Sequence, residues 1–361
     1  MASSSVYAGR LAARLALDLL RVYTPTGGEE RLHPVLEKWA SKLGLGFSVD
    51  ACGNATLSAG PDGLPVLGLV GHLDTVPGML EPRLQGDTVW GRGAVDAKGP
   101  LAAMILGLHI ASREGLACSS AVLGLVGEEG DSTGAWGLVS RGATPLHVVV
   151  GEPTGGDGIA IGYRGSLTVE IECRGEEGHS SNPGAGAADS LVMILSNVLH
   201  NDARATVTRL EAGTAANVTP GRAAATVNLR FEEPAIEALR AAAELCDSTY
   251  TRGCFCSRIS LLHPVKTSLS NPTAKALVTS LRSEGLNPRI VVKRGTSDMN
   301  VLALATRSIA AYGPGDPRLS HTRREHIRVG DIVKAARVYS RTLISLCSLT
   351  KDRRSKLGPN S

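Results

Sequence analysis

The sequence predicts an α/β protein of two domains. One is a mixed β-sheet flanked by helices; the other is an inserted ferredoxin-like α+β domain. Three observations predict this. The chain has 361 residues, more than one ordinary compact core needs. Three short apolar runs each stop at a glycine and then present an acid or a histidine. Between Arg164 and Thr267 the pattern runs strand, helix, strand, strand, helix, strand, which is the split ferredoxin-like order. The expected boundaries are 1–163 with 268–361 for the first domain and 164–267 for the insertion.

The elements follow in chain order. Ala8 to Val22 has helical spacing, with Leu11, Leu15 and Leu19 on one face. Pro25-Thr26-Gly27-Gly28 breaks it, and a second helix is expected from Glu29 to Leu43. The apolar runs Leu64–Val70, Ala121–Val126 and His147–Val150 read as buried strands. They lead into Gly71-His72-Leu73-Asp74, Gly127-Glu128-Glu129 and Gly151-Glu152. Open α/β sheets build their sites at the carboxyl ends of strands, so these polar residues stand where such a site belongs. A helix is expected from Pro100 to Ala111. In the insertion the expected strands are Ser166–Cys173, Ala205–Leu210, Ala223–Phe231 and Arg258–His263. Its expected helices are Ala187–Leu199 and Pro234–Ala243.

The bulk properties exclude several classes. Hydrophobic residues are 43% and charged residues 20%, which excludes disorder. No apolar run reaches the length of a membrane span, and the N-terminus lacks the pattern of a secretory signal, so a cytoplasmic location without membrane contact is expected. Seven scattered cysteines with no C-x-x-C pair predict structural free thiols, disulfides being reserved for a thermophilic source. A net charge of +4 and an aromatic content of 3% give no nucleic-acid-binding signature.

Chemistry concentrates at a few positions. His72 and Asp74 are two apart at a strand end, so their side chains share a side, and Asp74 is placed to hold the His72 ring. Gly91-Arg92-Gly93-Ala94-Val95-Asp96 is not a dinucleotide loop, because Asp96 replaces the third glycine. It reads instead as a tight turn delivering one carboxylate. Glu128 and Glu129 are adjacent, so their side chains diverge. One can bind a metal while the other accepts a proton from water. Glu152 follows a buried strand, where an unpaired acid is costly. His321 completes an N/O donor set suited to zinc or cobalt. With no G-x-S-x-G elbow and no nucleophilic cysteine motif, water is the expected nucleophile.

The order and spacing of these motifs resemble the metallo-aminoacylase and carboxypeptidase family that includes succinyl-diaminopimelate desuccinylase and acetylornithine deacetylase. The resemblance covers nearly the whole chain. It implies a metallopeptidase-type catalytic domain, a lid and dimerisation role for the insertion, and two divalent ions per subunit, Zn2+ or Co2+. It implies His72 and Glu152 on one ion, Glu129 and His321 on the other, and Asp96 bridging both. Glu128 becomes the general base and Asp74 the carboxylate behind His72, with a cis peptide after Asp96. Ala97 stands where the family commonly has methionine, but it touches no ligand. His179, in Gly178-His179-Ser180-Ser181, resembles the family's lid histidine that steadies an oxyanion, often across a homodimer. Asn217 and Arg230 resemble substrate-carboxylate contacts, with Arg164, Thr296 and Ser297 adding to that pocket.

Within the family, Gly91 to Pro100 and Gly162-Tyr163-Arg164-Gly165-Ser166 look most like hydrolases that release lysine or ornithine from an acidic amino-group carrier protein. The rival readings are an acetylornithine or acetyl-lysine deacetylase, a desuccinylase, and a di- or carboxypeptidase. A different class is a metal-binding protein that has lost catalysis; the presence of Glu128 with the whole ligand set argues against it.

Overall fold

The computed structural model describes residues 2–181, 186–201, 205–232 and 253–357. Their contacts divide the chain into two units. One comprises residues 1–162, 266–292 and 297–361; the other comprises 163–265 with 293–296. The short segment 293–296 joins the second unit through hydrogen bonds. Arg164 N–H donates to the Lys293 carbonyl, and Arg230 Nη1 donates to Thr296 Oγ1.

The first unit is built on a nine-stranded sheet. Its centre is four parallel strands in the order Ser120–Leu125, Leu67–His72, His147–Val150, Ser308–Ala311. Ala55–Ala59 and Gly158–Tyr163 pair antiparallel at either side, which makes the sheet mixed. The central strands are fully buried, as their continuous apolar runs require. His72 lies opposite Leu125, and Val70 opposite Val150. The polar residues after these strands therefore leave the sheet at one edge.

The helix Lys98–Arg113 is apolar on nearly every side and is buried along most of its length. It packs on strands Ala55–Ala59, Leu67–His72 and Ser120–Leu125, and against helices Ala2–Leu20 and Val329–Leu357. The expected helix from Glu29 to Leu43 splits into a 3-10 turn, Glu29–Leu32, and a helix, His33–Leu43. Pro34 explains the break: a residue without an N–H suits a first turn, not an interior.

The second unit is a four-stranded antiparallel sheet in the order Ala205–Ala212, Arg222–Phe231, Gly165–Arg174, Cys254–Leu262. That is the ferredoxin-like strand order. Helix Ala187–Asn201 lies on it, and Leu191, Leu195 and Val198 join Leu167, Val169, Ile171, Val227 and Leu229 in a separate core. The second expected helix, Pro234–Ala243, lies outside the described residues.

The expectation of free thiols is corrected. Cys118 is bonded to Cys347 and Cys173 to Cys254, while Cys52 is free. Cys173 and Cys254 face each other across adjacent strands, a proximity that spacing along the chain does not disclose. The Cys118–Cys347 bond spans 229 positions. Closing so long a loop restricts the unfolded chain and contributes about 2–4 kcal/mol. Cys118→Ala is therefore expected to lower the thermal unfolding midpoint measured without reductant; an unchanged midpoint counts against the bond.

Candidate metal centre

His72 ends its strand and is 1% exposed. Its Nδ1 lies 2.9 Å from the Asp74 carbonyl oxygen and 3.4 Å from Asp74 Oδ1, and its Nε2 lies 3.1 Å from Asp96 Oδ1. Burial opposes the charged ring, but hydrogen bonds to Asp74 and Asp96 and the charge of Glu128 overrule it. The His72 pKa is held well above the usual histidine value.

Asp74, fully buried, does more than hold a ring. It accepts Thr26 Oγ1–H at 2.8 Å and the backbone N–H groups of Glu128 at 3.2 Å and Glu129 at 3.1 Å. One carboxylate thus fixes the turn that presents both glutamates. Glu29 supports that turn from behind by accepting the Gly127 N–H. Gly127 itself sits at φ 75°, a left-handed conformation that glycine adopts without a Cβ penalty.

Asp96 comes from the glycine-framed turn before helix Lys98–Arg113, and its peptide bond to Ala97 is cis. His72, Asp96 and Glu129 each place a ligand atom within 4.8 Å of the others. His321 Nε2 lies beside two of these residues, 2.9 Å from Glu129 Oε1 and 3.4 Å from Asp96 Oδ2. The Glu129 hydrogen bond raises the His321 pKa. His321 stands at φ 65°, uncommon for a residue with a side chain and characteristic of functional sites.

Two more acids stand close by. Burial pushes the Glu128 carboxyl well up, aided by the charges of Glu152, Asp298 and Glu129. Glu152 follows its strand and is 6% exposed. It acts on Glu128 through charge and stands outside the group of three mutually close ligand atoms. Asp298 is buried, and burial pushes its carboxyl up to about 7. Its Oδ1 has no hydrogen-bond partner among the described residues. Imidazoles and crowded, desolvated carboxylates are the donor set of a divalent-cation site, and positive charge there relieves their mutual repulsion. The residues present fit a metal pair.

Sequence reasoning missed Asp298 as a buried acid and missed Glu325 altogether. A lone acid four positions after a histidine carries no signal of its own. The burial of Lys98 likewise has no signal in the sequence. Lys98 is 1% exposed, donates to the Val22 carbonyl, and burial lowers its pKa to about 8.

The remaining predicted residues make these contacts. His179 is exposed, with Nδ1 2.8 Å from Ser181 Oγ. Its two-residue strand pairs with Val218–Thr219, and Ser180 N–H donates to the Asn217 carbonyl. Arg164 pairs with Glu232, its Nε 2.7 Å from Oε1. The Ser297 hydroxyl accepts the Met299 N–H and so serves the start of helix Met299–Leu302.

The family model for "Peptidase family M20/M25/M40" matches residues 68–345. A curated relative from Aeropyrum pernix is 77% identical over 96% of this chain and 99% of its own length; it bears the name LysW-lysine/LysW-ornithine hydrolase provisionally. A relative from Saccharolobus solfataricus bears that name outright and is 34% identical over 91% of this chain and 94% of its own. Among solved structures, an M20 family metallo-carboxypeptidase from Sulfolobus solfataricus aligns with a TM-score of 0.76 at 17% identity, covering 94% of this chain and 99% of that one. A Bacillus subtilis protein described as a dinuclear metal binding peptidase aligns at 0.68 and 13% identity, over 95% and 99% of the two chains. This chain belongs to peptidase family M20/M25/M40. As a member it is a metal-dependent amidohydrolase.

Proposed function

We propose that the chain releases lysine or ornithine from a LysW-type carrier protein by hydrolysing the amide that joins the amino acid to the carrier. The observation carrying this is the 77% identity, across nearly both full lengths, with the Aeropyrum pernix relative. The pathway served is lysine or arginine biosynthesis, and the compartment is the cytoplasm. Intracellular disulfides then point to a hyperthermophilic source.

In this reading His72, Glu152, Glu129 and His321 would hold two divalent ions, zinc or cobalt, and Asp96 would serve both. When bound they supply Lewis acidity and a lowered water pKa. Asp74 orients His72 and aims the Glu128–Glu129 turn. Glu128 takes the proton of the attacking water and returns it to the leaving amine. His179 is assigned the oxyanion, and Asn217 and Arg230, with Arg164, Thr296 and Ser297, the substrate carboxylate. The inserted unit acts as lid and homodimer contact. In support of the latter, Val192, Met193 and Leu199 on its helix are 58%, 63% and 48% exposed, which leaves apolar side chains available for a contact.

The test is amine release by metal-reconstituted protein. Lysine- and ornithine-loaded carrier would be compared with N-acetylornithine and N-succinyl-diaminopimelate, each with and without chelator. Chelator-sensitive release chiefly from the carrier conjugates is expected. Preference for a small acylated amino acid would keep the family chemistry and overturn this substrate.

A further inference from the structure

We propose that Glu325 is a positioning residue for the metal centre, locking the turn that delivers Asp96 to the segment that delivers His321. The inference rests on the reading of Asp96 and His321 as ligands.

The carboxylate of Glu325 is completely buried. Its Oε1 accepts three backbone N–H groups of one turn, from Gly93 at 3.0 Å, Val95 at 3.0 Å and Asp96 at 3.1 Å. Its Oε2 accepts Arg92 Nη1–H at 2.9 Å. The same guanidinium reaches the Thr322 carbonyl from Nη1 at 3.2 Å and the Gly78 carbonyl from Nε at 2.9 Å. Several backbone N–H groups of one turn converging on a single anion are ordinarily a ligand-binding device. Here the anion is the protein's own side chain.

The placement follows from strand pairing. His326–Arg328 pairs with Thr88–Trp90, with His326 opposite Trp90. Glu325, just before its strand, and Gly91, just after its own, are therefore neighbours, and Gly91 N–H donates to the Glu325 carbonyl. Glu325 lies four positions after His321 and stands outside the three mutually close ligand residues. One hydrogen bond from the Asp96 main chain thus separates it from the proposed shared ligand. A buried charge satisfied by four donors resists displacement, because any shift leaves part of it unpaired.

The test is Co2+ binding to full-length wild type and Glu325→Gln protein, read by competition with a chromophoric chelator and by the visible absorption of the bound cobalt. Glutamine keeps the volume but turns a donor toward the Arg92 guanidinium or the turn's N–H groups. Removing such a support is expected to weaken Co2+ binding about 10–100-fold and to change the absorption spectrum. With saturating metal, kcat should fall while KM stays near wild type. Wild-type affinity and spectrum in the folded variant would overturn the proposal, even if its thermal stability had dropped. If Glu325→Gln does not fold, Glu325→Asp decides by the same readouts, since it keeps the charge but cannot reach all four donors. Wild-type protein that binds no Co2+ would overturn the metal reading itself. That outcome is distinct from two ions bound equally well by wild type and variant.

Discussion

Glu128→Gln protein should bind metal as wild type does and turn over about 10²–10⁴-fold more slowly, the contribution expected of a positioned general base. The substitution preserves shape, and the main-chain hydrogen bond from residue 128 to Asp74 is untouched. Glu129 keeps its own bond to Asp74 and its contact with His321. Metal content and the orientation of the neighbouring ligand should therefore survive, while an amide side chain cannot accept the water proton. Burial and three nearby acids hold the Glu128 carboxyl above its usual value, in the direction a base near neutrality needs. Activity of the wild type should fall as pH drops through that raised pKa, because the protonated acid is not a base. The measurement is kcat on metal-analysed protein. Near wild-type turnover at full metal content would remove Glu128 from the mechanism.

Asp96→Ala attacks the other half of the site. The Asp96 carboxylate contacts both His72 and His321 through different oxygens. Removing it should reduce tightly bound metal from two ions to one or none and bring turnover to background, as read by elemental analysis after desalting. The fold should persist, because the backbone N–H of residue 96 still donates to Glu325. Two ions retained with high affinity would show that the bridge lies elsewhere.

Much of this was legible from the sequence. Buried parallel strands write themselves as apolar runs, so His147–Val150 could be bounded to the residue and the ends of the neighbouring strands to within a few positions. The same runs located His72 and the Glu128–Glu129 pair, because chemistry follows strand ends. What failed to show were partnerships closed only by the fold. Glu29 was legible as a helix start but spends its carboxylate on Gly127, 98 positions away. Glu325 meets its turn across 229–233 positions. Cys118 and Cys347 are equally remote. Local periodicity carries no information about such pairs. The ion pair of Arg164 with Glu232 is another partnership that residue type alone does not disclose.

The Cys118–Cys347 and Cys173–Cys254 bonds also give the chain a covalent topology. Residues 173–254 form a ring lying wholly inside the larger ring of residues 118–347. The insertion, its return strand and the His321 segment all belong to the outer ring. A single backbone cut anywhere between Cys118 and Cys347 leaves one covalent molecule rather than two fragments. The Glu152 and His321 arms of the proposed site thus stay tethered to each other through a break that would separate them in a linear chain.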